Sequence, residues 1–377
     1  MTHRQPAGTS GRSTRRFGVT TLVAVSVAVA GLVLTMILAS RERDDASRDD
    51  GRAASTAAAE PKRIGYVPYW DQRQGFDVVR RHLDLFDQVS PVWYSLEPTG
   101  EVVLADAEHT TVDRRTVREL QTNGIEVIPT VTNLRNGDWE PALVQRMLHD
   151  PAAVRAHVRE LVELAVRKGY DGIDIDYEHL EAEDRQPYSD FLAMLGAALR
   201  AEGKLLTAAV HPKTSEEGDD ERNVAQDFAA IGAAADQVRV MAYDYSWEDS
   251  PPGPVAPARW VEDVIEWTVT QIPAEKVVLG VVLLGYDWGD GHGMTVDYQQ
   301  AQATAKANDV TIRRTDDGSP WFRYRDASGA RHEVWFEDAV SVSAKLGLVA
   351  KYGLGGAFFW RLGGEHTDVW PLAGAEL

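Results

Sequence analysis

The chain has 377 residues, 44% hydrophobic and 26% charged, enough apolar material for one large domain or two ordinary ones. A formal net charge of −19 argues against a nucleic-acid partner, whose phosphates need basic contacts, and offers no basic patch to anionic lipid heads. Cysteine is absent, which excludes disulfides, a thiol nucleophile and a zinc–thiolate site.

Residues 1–16 carry Arg4, Arg12, Arg15 and Arg16 and no acid, and 17–39 then run without a single charge. At about 1.5 Å per residue, a helix of that length crosses a hydrocarbon core of about 30 Å. The end of the run, Met36-Ile37-Leu38-Ala39-Ser40, matches an A-x-A cleavage site poorly. The segment therefore predicts a cytoplasmic tail (1–16) and an uncleaved transmembrane signal anchor (17–39), with the rest of the chain outside the cell. Signal cleavage and secretion is the alternative. Residues 40–62 are rich in Asp, Arg, Ala and Ser without apolar periodicity, and read as a flexible linker.

From residue 63 onward, short apolar runs alternate with helical patterns, the signature of parallel strands joined by crossover helices. The runs are 63–70, 89–96, 126–133, 172–178, 206–211, 238–244, 277–284 and 356–360. The clearest helical stretches are 151–168, 185–201 and 257–271, the first with Pro151 just inside an Asp150 cap. Eight such units in 63–377 predict an α/β fold, a (β/α)8 TIM barrel, over an open doubly wound sheet. No glycine-rich phosphate fingerprint follows the first strand. The seventh unit is long: 289–335 holds a helical stretch and two strand-like pieces, and reads as a small α/β insertion over one rim. No internal repeat is visible.

The fourth strand carries the chemistry. In Asp171-Gly172-Ile173-Asp174-Ile175-Asp176-Tyr177-Glu178, strand periodicity points Asp174, Asp176 and Glu178 one way and Ile173, Ile175 and Tyr177 the other. The three acids then step along the barrel interior toward its C-terminal mouth. Crowded carboxyls there cannot all ionise, and a proton-bearing acid beside an ionised neighbour is what glycosidic cleavage requires. A polar plug or a divalent metal site are the other readings of the same acids. Asp171 has the opposite parity and reads as a structural hold on a turn.

This segment resembles the D-x-x-D-x-D-x-E signature of glycoside hydrolase family 18, the chitinase family. Val240-Met241-Ala242-Tyr243-Asp244 resembles that family's M-x-Y-D motif, and Gly355-Gly356-Ala357-Phe358-Phe359-Trp360 its last strand, ending in tryptophan. The likeness covers about 63–370. Pro129-Thr130-Val131-Thr132-Asn133, Gly285-Tyr286-Asp287-Trp288 and Val334-Trp335-Phe336-Glu337-Asp338 are similar to the bacterial branch of spore-cortex and cell-wall N-acetylglucosaminidases. The third strand departs by lacking S-x-G-G, and Leu284 stands where that branch has a tyrosine.

The resemblance implies a retaining mechanism in which the substrate's own 2-acetamido group is the nucleophile. Glu178 would be the general acid and then base, Asp176 would hold the acetamido N–H, Asp174 would share a proton with Asp176, and Tyr243 would orient the acetamido carbonyl. Asp244 would support the pocket, Met241 would line it, and Trp360 would floor the sugar. Tyr66, Tyr94 and Asn133 are candidate substrate contacts. Trp70, Trp93, Tyr94, Trp139, Trp247 and Trp288 fall near strand ends, where aromatic faces can stack on sugars. His211, at the end of the fifth strand, is either a substrate contact or a satisfied structural histidine. The implied substrate is a glycan containing N-acetylglucosamine, wall glycan before chitin; no cofactor, metal or nucleic acid is implied, and a monomer is expected. A catalytically silent glycan-binding relative and a metal-dependent barrel enzyme are the alternatives, the first disfavoured by the presence of Glu178.

Overall fold

In the computed structural model, which describes residues 60–108, 110–289 and 291–377, eight parallel strands close into a barrel. They are β1 (Lys62–Pro68), β2 (Gln88–Leu96), β3 (Glu126–Val127 and Thr130–Thr132), β4 (Gly172–Asp176), β5 (Leu205–Val210), β6 (Gln237–Val240), β7 (Val277–Val282) and β8 (Gly356–Trp360). Pairing of β1 with both β2 and β8 completes the ring. The expected tail, the anchor at 17–39 and nearly all of the linker lie outside the described residues. Among the described residues no helix is long and apolar enough to cross a membrane. Lys62, expected to end the linker, already belongs to β1.

The helices around the barrel are α1 (Gln72–Arg81), α2 (Arg114–Thr122), α3 (Pro151–Lys168), α4 (Arg185–Ala201), α5 (Phe228–Ala234), α6 (Ala258–Gln271), α7 (Ala339–Tyr352) and α8 (Val369–Glu376). α3 shows how local chemistry sets an element. Asp150 accepts hydrogen bonds from the Ala152 and Ala153 amides, Pro151 occupies the first turn, and Gly169 ends the helix at φ 75°, where a side chain would be strained. Asp171, as its parity suggested, is structural: its Oδ2 accepts from Val127 N at 2.8 Å and Gln121 Nε2 at 2.9 Å, tying β3 to the start of β4.

Ile173, Ile175, Val238, Val240, Leu279, Val281 and Phe359 are all buried in one continuous apolar core. The interior floor is different, because Gln88, Ser90, Thr130, Asp174, Thr207 and Arg239 are fully buried there. The insertion is broader than 289–335. The chain leaves the barrel after Val282, and Leu284–Trp288 already belongs to a five-stranded antiparallel sheet with Gly293–Asp297, Arg331–Trp335, Pro320–Arg325 and Arg313–Arg314. A helix, Tyr298–Ala307, packs on it over a small core of Ala301, Ala305, Phe322, Val334 and Phe336.

Candidate active site

Register brings the floor together. Asp174 lies level with Thr130 on β3 and Thr207 on β5. Its Oδ2 accepts from Tyr66 Oη and Thr130 Oγ1, each at 2.8 Å, and its Oδ1 from Thr207 Oγ1 at 2.5 Å. Arg239, reaching across from β6, stands 3.4 Å from the same Oδ1 and donates to Tyr66 Oη at 2.9 Å, Ser90 Oγ at 2.5 Å and Gln88 Oε1 at 3.2 Å. Nothing in the sequence reading marked Arg239, although it shares the inward parity of Met241 and Tyr243. An arginine on the inward face of a strand opposite three inward acids is the signal that would have found it.

Above the floor comes Asp176, whose Oδ1 is buried and lacks a hydrogen-bond partner. Burial, reinforced by the charge of Asp174, pushes its carboxyl up to about 8, so at neutral pH it carries a proton. Glu178 lies two residues further, beyond the end of β4. Asn133 brackets its main chain: Asn133 Nδ2 donates to Glu178 O at 3.0 Å and Glu178 N donates to Asn133 Oδ1 at 2.9 Å. Burial holds the Glu178 carboxyl well above the usual range, Asp176 and Asp244 push the same way, and Arg222 opposes them. The three acids therefore stand on one side, and burial raises the carboxyls of both Asp176 and Glu178.

Regular pairing on β6 ends at Val240. Ala242 N then donates to Val240 O and Tyr243 N to Met241 O, tight turns that take Asp244 to φ 56°. Tyr243 still points inward, edge-on to Phe358 with ring centres 6.2 Å apart. Gly280 makes room for it, because a Cβ there would stand 2.9 Å from Tyr243 Cε1 and 2.6 Å from Val240 O. Asp244, an exposed residue, accepts from Tyr286 Oη at 3.0 Å; partial desolvation by the neighbouring chain pushes its carboxyl up to about 6 against that bond. Tyr286, on the first strand of the insertion, thus supplies a tyrosine from the seventh unit although Leu284 does not. Half-buried Met241 shares Tyr243's parity, and half-buried Trp360 stands edge-on to Tyr66 at 6.0 Å and to Trp70 at 6.4 Å.

Three residues expected to contact substrate spend their polar atoms on the protein itself. A register shift between Val92 and Tyr94 places Tyr94 level with Val131 and Ser95 level with Thr132. The bulge reverses parity, so Tyr94 leaves the interior and bonds Tyr170 Oη at 2.7 Å. Tyr66 is 3% exposed and committed to Asp174 and Arg239 beneath the acids. Asn133 is fully buried, with both amide atoms spent on Glu178's backbone. Of the aromatic group, Trp93 and Trp288 are buried, whereas Trp70 and Trp247 are exposed and half-buried Trp139 stacks on His179.

Among the described residues, no group of three or more His, Asp or Glu side chains could hold a metal ion. Asp174's donors are hydroxyls and a guanidinium, which occupy the lone pairs a cation would need. What the arrangement can do is donate a proton from Glu178 beside an unpaired buried acceptor on Asp176.

The family model described as Glycosyl hydrolases family 18 matches residues 62–365. "Cortical fragment-lytic enzyme" of Bacillus subtilis (strain 168) is 36% identical over 265 residues, covering 68% of this chain and 61% of that protein. "Putative sporulation-specific glycosylase YdhD" of the same organism is 34% identical, covering 76% of this chain and 68% of that protein. Among solved structures, a chitinase from Chromobacterium violaceum ATCC 12472 superposes with TM-score 0.77 at 30% identity, over 84% of this chain and 98% of that one. The spore cortex-lytic enzyme SleL of Bacillus cereus superposes with TM-score 0.76 at 26% identity, over 84% of this chain and 74% of its own. The chain spans 61% of the first curated relative's length.

Proposed function

Because the chain belongs to glycosyl hydrolases family 18 and is a glycosidase, we propose that it cleaves a β-linked glycan containing N-acetylglucosamine with retention of configuration, the substrate's 2-acetamido group serving as nucleophile. The observation that carries this reading is the buried, unpartnered Oδ1 of Asp176 next to Glu178, an acceptor suited to an acetamido N–H. Glu178 gives its proton to the glycosidic oxygen as the C1–O bond breaks. The acetamido oxygen, oriented by Tyr243, bonds to C1 to form an oxazolinium ion. Water then attacks C1 as the bond from C1 to the acetamido oxygen breaks, regenerating the acetamide, and gives a proton to Glu178; two inversions restore the configuration. Asp174, held by Arg239 and three hydroxyls, fixes the floor on which Asp176 stands and so helps to orient it toward the acetamido group.

Wall glycan is the preferred polymer. The relatives named for cortex lysis support it, whereas those named chitinases support chitin as second choice. Mass spectrometry of products from purified peptidoglycan and from N-acetylglucosamine oligomers is expected to show new reducing N-acetylglucosamine ends, mainly from the first. Glu178→Gln should lower turnover by about 10²-fold or more with fold and glycan binding intact; undiminished turnover in that variant would reject the assignment. The charge-free run at 17–39 supports tethering to the membrane with the barrel outside the cell. Protease added to intact cells should then degrade the barrel, and protection from it would overturn that topology.

A further inference from the structure

His211, just past β5, has its Nε2 buried with no hydrogen-bond partner, 3.5 Å from Glu178 Oε2. No other described side-chain nitrogen pairs with that carboxyl. Leaving a buried polar atom unsatisfied costs about 1–3 kcal/mol, so a ring nitrogen held this near an acid calls for a reason. Both partners are fixed from elsewhere. His211 N donates to Gln226 Oε1 at 2.7 Å, and Asn133 brackets the Glu178 backbone from β3.

We propose that His211 is a positioning residue for Glu178: its Nε2–H holds Oε2, so that the transferable proton is carried on Oε1. This rests on the reading of Glu178 as the general acid. The surrounding charges suit the role. Burial pushes His211 down to about 3, Arg222 and His179 push the same way and Asp220 opposes, so the ring stays neutral with one N–H. Glu178 is raised by burial and by Asp176 and Asp244, and lowered by Arg222. A neutral donor on Oε2 favours the carboxylate over the acid and counters part of that rise. After Oε1 loses its proton to the leaving oxygen, the same N–H steadies the carboxylate until water returns a proton to it. His211 itself transfers none.

The test compares wild type, His211→Phe and His211→Gln as full chains, on wall-glycan strands or the N-acetylglucosamine tetramer, whichever the wild type cleaves. His211→Phe should lower kcat roughly tenfold with KM changed less than about twofold. Loss of the donor should also move the alkaline limb of kcat to higher pH. His211→Gln, with an amide donor near the place of Nε2, should restore much of kcat and the wild-type limb; His211→Leu removes the donor instead if the Phe variant fails to fold. An unmoved limb in both variants, or a loss confined to KM, would overturn the proposal in favour of a packing or substrate-contact role. Glu178→Gln in the same assay separates the two claims. Activity surviving in that variant would sink the assignment of the acid, whereas its loss together with an indifferent His211 would sink only this inference.

Discussion

Asp176 is enclosed rather than solvated, and that fact has a consequence for stability. Its carboxyl rises from 3.8 to about 8 through burial first and the Asp174 charge second. A group raised in the folded state contributes stability that is fully present below its unfolded value, and that contribution drains as pH climbs toward the folded value. The window is therefore about pH 4 to about pH 8. Asp176→Asn cannot ionise, so its thermal midpoint should fall less than that of the wild type across this window, by an amount of order a few kcal/mol in stability. Parallel midpoint curves for the two proteins would show that Asp176 is already ionised at neutral pH. At this scale the acids were legible in the chain, because strand alternation is local, and so was the expectation that their crowding keeps a proton among them. Which carboxyl is raised was not, because it depends on what covers each one.

The strands decide which side chains face the site. Tyr94 and Asn133 looked alike as polar groups near strand ends, yet β2 turns Tyr94 outward through its bulge and β3 uses Asn133 to hold Glu178. Removing the two Asn133 bonds by Asn133→Ala should cost about 1–3 kcal/mol in stability and displace the acid, lowering kcat. Tyr94→Phe loses one bond to Tyr170, worth about 1 kcal/mol, and should leave kcat and KM unchanged. Steady-state kinetics on the pair checks this; equal damage from both would mean that the bulge does not divert Tyr94 from the site. A bulge is set by the partner strand's register, so a single strand's pattern cannot announce it.

Across the whole molecule, one buried ion pair ties distant parts of the barrel. Arg239 from β6 meets Asp174 on β4, Tyr66 on β1 and Ser90 and Gln88 on β2, with both charges fully buried. Such a pair adds little over a well-packed apolar substitute, but removing one partner alone costs about 3–5 kcal/mol, because the other is left buried and unpaired. The insertion, through Tyr286, adds a bond to Asp244 from outside the barrel. By itself the sequence determined the eightfold strand–helix alternation, the helix caps and the shared side of Asp174, Asp176 and Glu178, since each depends on neighbours a few residues apart. Only the tertiary structure decided that Arg239 sits beneath those acids, that Tyr66, Tyr94 and Asn133 serve the scaffold, and that His211 faces Glu178. Those relations join residues 33 to 173 positions apart, and no local period encodes which strands a closed barrel sets side by side.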